Sequence, residues 1–158
     1  MRIGHGFDAH RFMPGDHLFL GGVKVPHYAA VEAHSDGDVI LHALCDALLG
    51  AAGLGDIGEH FPPTDMQYKN MDSRHFVKIV KKLLDKNNWE ISNVDITLVA
   101  QMPRIKPYKL EIKNNIAKDL SLDPSQVNIK GTTTEKMGYI GREEGIAAYA
   151  VALLIQGK

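Results

Sequence analysis

The chain has 158 residues, which fits a single domain and suffices to bury about 70% of the surface that the unfolded chain exposes. Its 18 Lys and Arg and 19 Asp and Glu residues give a net charge of -1 at pH 7, without a run of basic residues. This balance argues against a partner bound by charge alone, such as a nucleic acid or an anionic membrane. We therefore expect any ligand to bind at a local site.

Cysteine usage and the start of the chain indicate the compartment. Cys45 is the single cysteine, which excludes an internal disulfide framework. The first residues lead directly into a polar motif, so we expect no signal or transit peptide. The longest apolar run, residues 146–155, is far shorter than the roughly 20 residues that cross a bilayer. We expect a cytoplasmic protein.

The first part of the sequence predicts strands. Residues 2–8 read as a first strand, and two short apolar runs, 18–20 and 23–25, flank a Gly21-Gly22 pair. Two glycines between short strands are typical of a tight turn. We therefore expect a small N-terminal hairpin after the first strand.

A helix and a long loop follow. Ser35 or Asp36 is suited to cap a helix that runs to about Leu49, and Gly50 would end it. Residues 50–72 show neither a helical nor a strand period, which predicts a loop. Loops of this length in compact domains are usually lids, binding loops or disordered segments. The alternative is a plain surface excursion.

The second half of the chain alternates helices with strands. Helices are predicted from Ser73 onwards and over residues 107–120, and strands over residues 89–100 and 127–133. Residues 146–155 have alanines that favour a helix and β-branched residues that favour a strand, and we predict a strand. The pattern indicates an α+β fold, an α/β sandwich with helices packed on one face of a mixed sheet.

Asp8, His10 and His42 are candidate metal ligands. Two residues apart on a strand, Asp8 and His10 leave the same face and can offer two ligands to one ion, and His42 could supply the third. Three Asp and His ligands leave a tetrahedral zinc ion one open position, whereas structural zinc sites are usually closed by cysteines. The alternative is that Asp8 ends a strand, His10 lies in a turn and His42 is an ordinary helix histidine.

Two further carboxylates share a helix face with His42. Asp38, His42 and Asp46 are spaced four residues apart and therefore follow one another along the predicted helix. Carboxylates on either side of a metal-binding histidine could hold its ring in place by hydrogen bonds. The alternative is a face of the helix that is simply solvated.

The segment 131–138 has the composition of a phosphate site. It places three consecutive threonines at a predicted strand end, where hydroxyl and backbone N–H groups can bind phosphate oxygens. Glu135 could hold a hard cation such as Mg²⁺, and Arg142 could pair with another phosphate. The segment thus suggests a diphosphate ligand, although a threonine run is also a common strand sequence.

Together these motifs resemble a known family over essentially the whole chain, the 2-C-methyl-D-erythritol 2,4-cyclodiphosphate synthases of non-mevalonate isoprenoid biosynthesis. Two positions differ, since Tyr139 stands where these enzymes commonly carry Phe and Arg104 where many carry Lys, which affects only fine substrate contacts. The resemblance lies in five ordered motifs: GHGFDxH at 4–10, AHSDGD at 33–38 with His42, LGDIG at 54–58, Phe61-Pro62, and TTTEK at 132–136 with Gly141-Arg142.

The resemblance implies a single catalytic domain that assembles as a homotrimer, with three active sites between adjacent subunits. It implies zinc, or another divalent transition metal, on Asp8, His10 and His42, and Mg²⁺ or Mn²⁺ on Glu135. The implied reaction converts 4-diphosphocytidyl-2-C-methyl-D-erythritol 2-phosphate to the 2,4-cyclodiphosphate and releases CMP. His34 and Thr133 would steady the charge that develops on the reacting phosphate.

The same resemblance implies two sets of binding residues. Those expected near the methylerythritol phosphate part of the substrate are Ser35, Asp56, Ile57, Gly58, Phe61, Pro62, Pro63, Thr64, Asp65, Tyr139 and Arg142. Those expected around the cytosine and ribose of CMP, in the neighbouring subunit, are Ala100, Gln101, Met102, Pro103, Arg104, Ile105, Lys106, Thr132 and Thr134.

Two other classes of function use the same residues. A zinc-dependent phosphohydrolase could use the three metal ligands to activate water, and it would release phosphate rather than CMP. A non-catalytic trimeric module that binds cytidine nucleotides would keep that affinity after the metal is removed. The product formed from the diphosphocytidyl substrate separates all three functions.

Overall fold

The computed structural model describes residues 1–157, which form seven strands and five α-helices. The strands are β1 (Arg2–Pro14), β2 (His17–Leu20), β3 (Val23–Pro26), β4 (Ala29–Val31), β5 (Trp89–Val99), β6 (Val127–Thr132) and β7 (Gly145–Gln156). The helices are α1 (Val39–Ala52), α2 (Ile57–His60), α3 (Ser73–Lys86), α4 (Lys109–Leu120) and α5 (Gly138–Gly141). Short 3₁₀ turns occupy Met66–Tyr68, Lys106–Tyr108 and Pro124–Gln126.

Five strands form one mixed sheet in the order β4-β1-β7-β5-β6. Only β5 and β6 are parallel; the other neighbours are antiparallel. β2 and β3 make a separate antiparallel pair around Gly21-Gly22. The mixed α+β architecture predicted from the sequence is confirmed, and residues 146–155 belong to a strand, as predicted.

β1 is longer than the sequence indicated. It continues to Pro14, where its last residues pair with β4, a three-residue strand that the sequence did not reveal. Asp8 therefore lies opposite Ala148, and His10 opposite Ile146, in the interior of the sheet rather than at a strand end. Both side chains project from a strand that is paired along its length, which fixes their direction.

Helix α1 begins and ends at residues other than those predicted. Its N-cap is Asp38, whose side chain accepts the Leu41 N–H, and not Ser35 or Asp36. Its end is Gly53, in the left-handed conformation with φ 72°, and Gly50 lies within the helix. The sequence offers several suitable caps and glycines in succession, and only the backbone conformation selects among them.

Three helices form a layer on one face of the sheet. α1 packs on β1 and β7, α3 packs on α1 and β5, and α4 packs on α3 and β6. The prediction that helices lie on one face needs one correction, because α5 packs its buried Ile140 against Val99 and Ala147, which point to the opposite face. Elsewhere on that face Phe7, Tyr149 and Val151 are exposed.

No helix within residues 1–157 combines the length and the apolar composition required to cross a membrane.

The segment after α1 is folded more than its sequence suggested. It contains α2 and a 3₁₀ turn, and the side chain of Phe61 is buried against Phe76, with ring centroids 4.5 Å apart. Tyr68 packs edge-on against the same ring of Phe61. The absence of a long hydrophobic period hid these short elements, since a single turn of helix cannot display one.

Helix α1 and strand β1 approach so closely that their backbones are in contact. A Cβ atom at Gly4 would clash with the carbonyl oxygen of Ala47, and one at Gly6 with the carbonyl oxygen of Ala43. Gly50, by contrast, has open space around its Cα. The glycines of β1 are therefore required for packing.

We expect Gly6→Ala to destabilise the protein by about 1–3 kcal/mol, because the added methyl group overpacks a rigid backbone contact. The matched change, Gly50→Ala in helix α1, should instead stabilise the protein by roughly 0.5–1 kcal/mol, since it only restricts the unfolded chain. Urea unfolding of both variants measures these changes. Equal effects of the two substitutions would contradict the close approach.

Candidate metal centre

Three side chains from two elements converge above the sheet. The Asp8 Oδ2 atom lies 3.1 Å from His10 Nε2 and 3.0 Å from His42 Nδ1. The two ring nitrogens are 3.3 Å apart. Asp8 and His10 come from β1, and His42 is the fourth residue of α1, which packs on β1. The structure thus brings together the three predicted ligands, and they are the one group of this kind in residues 1–157.

The geometry of this group fits a divalent transition metal. Zinc binds imidazole nitrogen and carboxylate oxygen at about 2.0–2.1 Å, which places neighbouring ligands of a tetrahedral ion about 3.3 Å apart. The three observed separations, 3.0 to 3.3 Å, are close to that value. With three protein ligands, a tetrahedral ion would keep one position for a substrate oxygen.

The electrostatics of the group favour a negatively charged Asp8 carboxylate. Burial alone would raise the pKa of the Asp8 carboxyl, but hydrogen bonds and the charges of His10 and His42 outweigh burial and lower that pKa to about 2. Burial opposes charge on His42 too, yet the hydrogen bond and charge of Asp8 raise the pKa of its imidazole. The charge of the Asp8 carboxylate therefore favours a protonated His42 ring beside it when no metal is bound.

The second ring nitrogen of His42 faces two hydroxyl groups. Its Nε2 atom lies 2.9 Å from Ser73 Oγ and 3.2 Å from Ser35 Oγ. The Ser73 hydroxyl in turn donates a short hydrogen bond to the Asp36 carboxylate, and the Ser73 N–H donates to the same group over 2.9 Å. The sequence pattern places Ser73 at a helix terminus and gives no sign of its contact with His42, since the two residues are 31 positions apart.

Asp38 and Asp46 do not hold the ring of His42, contrary to the prediction from their spacing. The Asp38 carboxylate accepts the N–H groups of Gly21, at 2.9 Å, and Gly22, at 2.8 Å. Asp46 accepts the Ile57 N–H over 2.8 Å and so fixes the start of α2. Helical spacing placed these carboxylates on the correct face, but both bind backbone groups of other segments that local sequence cannot indicate.

The threonine segment forms an exposed loop after β6. Thr133 and Glu135 are joined by two hydrogen bonds, from the Thr133 hydroxyl to the Glu135 carboxylate over 3.3 Å and from the Glu135 N–H to the Thr133 hydroxyl over 3.2 Å. Gln101 Oε1 accepts the Thr134 N–H at 3.1 Å. The hydroxyl and carboxylate groups of this loop are therefore held in place and accessible.

The predicted nucleotide residues lie beside this loop. β5 and β6 run in parallel and end together, and the Ala100 N–H donates to the Thr132 carbonyl oxygen over 3.0 Å. Ala100, Pro103 and Ile105 are buried, whereas Met102, Arg104 and Lys106 are exposed. This end of β5 lies level with Asp8 across β7, two strands or about 10 Å away.

The other predicted substrate residues are spread along the surface near the metal ligands. Asp56 caps α2 by accepting the Glu59 N–H, and Gly58 is exposed in the same turn. Tyr139 lines a cleft of about 530 Å³ next to His10, while Arg142 pairs with Glu144 at 3.1 Å. The remaining predicted residues, by exposure, are as follows: His34, Pro63 and Thr64 are exposed, Ser35, Ile57, Pro62 and Asp65 are half-buried, and Phe61 is buried.

Comparison with known proteins agrees with this geometry. The sequence profile of the YgbB family matches residues 1–155. A 2-C-methyl-D-erythritol 2,4-cyclodiphosphate synthase from Pseudomonas putida is 57% identical over 155 residues, which are 98% of this chain and 99% of the relative. The chain belongs to the YgbB family.

Solved structures of similar proteins share the fold. The structure "IspF (Plasmodium falciparum) CDP complex" is 41% identical, with a TM-score of 0.87, and the match covers 99% of this chain and 97% of that one. The bifunctional IspDF from Campylobacter jejuni is 46% identical, with a TM-score of 0.90, over 98% of this chain but 42% of the longer protein. The predicted family is thus confirmed, and with it the function of this YgbB-family chain as a cyclodiphosphate synthase in isoprenoid biosynthesis. Neither a phosphohydrolase nor a non-catalytic module is favoured.

We expect the metal-free protein to draw stability from the Asp8–His42 pair only within a pH window. Because the pKa of Asp8 is lowered, its ionised carboxylate stabilises the folded state above the ordinary pKa of 3.8. This stabilisation is lost as the pH falls towards about 2. Because the pKa of His42 is raised, its protonated imidazole stabilises the folded state below the ordinary pKa of 6.5. This stabilisation is lost as the pH rises through the raised pKa. Denaturant unfolding with a chelator present should show that the pair adds most to the free energy of unfolding between about pH 4 and 6.5.

Asp8→Asn should remove that contribution and flatten the profile. Asp16→Asn is a matched control, because Asp16 also lies beside a histidine, His17, at 2.7 Å, but on the surface, where solvent screens the pair. If the free energy of unfolding depends on pH in the same way in the parent and in Asp8→Asn, the pair does not stabilise the metal-free protein.

Proposed function

We propose that this chain converts 4-diphosphocytidyl-2-C-methyl-D-erythritol 2-phosphate to 2-C-methyl-D-erythritol 2,4-cyclodiphosphate and releases CMP. The observation that carries the proposal is the Asp8, His10 and His42 group within a chain that is 57% identical to a curated synthase along nearly its whole length. The CDP complex of a relative with a TM-score of 0.87 supports a cytidine nucleotide pocket here.

The reaction is an internal transfer of a phosphoryl group. An oxygen of the 2-phosphate forms a bond to the β-phosphorus, and the bond from that phosphorus to the oxygen bridging to the α-phosphorus breaks. CMP leaves with the bridging oxygen and the electron pair. Since an anionic phosphate attacks an anionic diphosphate, the main obstacles are charge repulsion and the entropy of ring closure.

The chain supplies ligands suited to two metal ions. Asp8, His10 and His42 would hold zinc or another divalent transition metal, and the exposed carboxylate of Glu135 would hold Mg²⁺ or Mn²⁺ together with substrate phosphates. When bound, such ions supply Lewis acidity and offset the negative charge of the diphosphate. These ligands come from opposite ends of the sequence, so correct folding precedes assembly of the full site.

The remaining polar groups would position the substrate. His34 and Thr133, both exposed, would donate hydrogen bonds to the phosphate on which charge develops. The segment 100–106 with Thr132 and Thr134 would hold the nucleotide. Asp56, Gly58 and the segment 61–65 would bind the methylerythritol phosphate end, where Phe61 can contribute only backbone groups because its side chain is buried.

Assembly as a homotrimer is part of the proposal. The sheet face opposite the helix layer exposes Ile3, Phe7, Tyr149 and Val151, and the rings of Phe7 and Tyr149 lie 4.9 Å apart. A contiguous apolar surface of this kind is a usual subunit interface. The same proposal places each active site between subunits, with metal ligands from one chain and nucleotide contacts from the next, in a cytoplasmic enzyme.

Product analysis tests the function. Incubation of the parent enzyme with the diphosphocytidyl substrate, Zn²⁺ and Mg²⁺ should give equal amounts of CMP and cyclic diphosphate by mass spectrometry. His42→Ala should lose zinc and abolish both products while the protein stays folded, since alanine is favourable in a helix. Release of inorganic phosphate instead of CMP would indicate a hydrolase. Binding of cytidine nucleotides without turnover would indicate a binding module.

Mixing of two inactive variants tests the position of the site. We expect His42→Ala chains co-assembled with Thr132→Trp chains to recover about a quarter of the parental activity, because random mixing at equal amounts leaves that share of interfaces with both halves intact. Thr132 suits this test since it is exposed, whereas a bulky residue at the buried Ala100 would disrupt folding. No recovery in verified mixed trimers would place each site within one chain.

A further inference from the structure

We infer that Ser73 and Asp36 are positioning residues, which fix the nitrogen that His42 presents to the metal. The inference rests on the proposed function insofar as that function places a metal on Asp8, His10 and His42. It concerns the other side of the His42 ring, which touches neither substrate nor metal. The relevant groups lie in a chain of hydrogen bonds from Asp36 through Ser73 to His42.

The chain of hydrogen bonds is continuous, and its middle member is buried. His42 Nδ1 lies 3.0 Å from Asp8 Oδ2, on the metal side, and His42 Nε2 lies 2.9 Å from Ser73 Oγ, on the far side. Ser73 is fully buried, and Phe76 packs beside the His42 ring with centroids 6.2 Å apart. A polar residue with no solvent exposure requires partners, and Ser73 has them on both sides.

The direction of these bonds follows from the carboxylate at one end. An ionised carboxylate only accepts, so the Ser73 hydroxyl directs its proton to Asp36 and turns an oxygen lone pair towards His42. His42 then donates from Nε2, so that loss of the proton shared between Nδ1 and Asp8 leaves the Nδ1 lone pair directed at the metal position. The opposite tautomer would place an N–H where a ligand lone pair is needed.

Ser35 offers a second hydroxyl but no fixed direction. It lies 3.2 Å from His42 Nε2 and receives only a long backbone contact from Gly37, at 3.4 Å. Its hydroxyl proton has no carboxylate acceptor among the described hydrogen bonds. Ser73 is therefore the partner that selects the tautomer, and Ser35 is a weaker acceptor of the same proton.

The same carboxylate also holds the loop that precedes α1. Asp36 accepts the Asp38 N–H over 3.1 Å, and the Asp36 N–H donates to the Met71 carbonyl oxygen over 3.3 Å. This loop carries His34 and Ser35, which the proposed function places next to the substrate. Hydrogen bonds of Asp36 thus link the metal ligand His42 to a loop of proposed substrate contacts.

Zinc affinity of the metal-free protein tests the inference without relying on turnover. We expect Ser73→Ala to weaken zinc binding by about 10- to 100-fold in a competition titration with a chelating dye, since loss of a hydrogen bond behind a metal ligand has effects of this size. Asp72→Ala is the matched control, because Asp72 caps the same end of α3 by accepting the Arg74 N–H and does not contact His42. The zinc affinity of Asp72→Ala should equal that of the parent. The zinc affinity of Ser35→Ala should be much closer to that of the parent than the affinity of Ser73→Ala is.

Nuclear magnetic resonance of the ring nitrogens gives a second readout on the metal-free parent itself. At alkaline pH, where the imidazole is neutral, Asp8 accepts a proton from Nδ1 and Ser73 accepts one from Nε2, so both tautomers compete; the share protonated on Nε2 should fall in Ser73→Ala, which removes the acceptor at Nε2 and keeps the one at Nδ1. Unchanged zinc affinity in Ser73→Ala, or an unchanged share of the Nε2 tautomer in that variant, would overturn the inference. If instead the parent failed to bind zinc while Ser73→Ala still lowered the share of the Nε2 tautomer, the proposed metal site would fail and the positioning role of Ser73 would stand.

Discussion

The contact between helix α1 and strand β1 is the constraint on which the rest of this structure depends. Gly4 and Gly6 lack side chains, so the helix backbone rests directly on the strand at Ala43 and Ala47. The next two residues on the same face of β1 are Asp8 and His10, and the residue before Ala43 is His42. One face of β1 therefore carries two glycines, on which the helix packs, followed by Asp8 and His10. The same packing brings His42 of the helix next to these two side chains.

The carboxylates of Asp38 and Asp36 hold the segments that connect to this contact. Asp38 binds the Gly21-Gly22 turn and the first turn of α1, while Asp36 binds the first residue of α3. Neither segment before these helices has regular secondary structure, so its backbone N–H groups need other acceptors. Side-chain carboxylates provide them, and in doing so they fix the loops from which His34 and Ser35 project.

The chemistry requires this degree of order more than it requires reactive side chains. Transfer of a phosphoryl group between anions is accelerated mainly by positioning and by positive charge near the phosphates. Three lone-pair donors held within 3.3 Å of one another repel until a proton or a metal ion lies between them. The fold supplies the packing that keeps them together, which explains why an unreactive helix–strand contact matters to a reaction at the surface.

The sequence by itself determined the features that depend on neighbouring residues. The period of α3, the strand pattern of β5, the spacing of Asp8 and His10 and the order of the motifs are local, and they sufficed for the fold class, the candidate metal group and the family. Tertiary structure decided the rest. Whether Gly50 or Gly53 ends α1, whether Asp38 faces His42 or the Gly21-Gly22 turn, and which hydroxyl reaches His42 all depend on groups far apart in the chain. Hydrogen bonds of this kind follow distance in space rather than position in sequence, so only the folded chain reveals them.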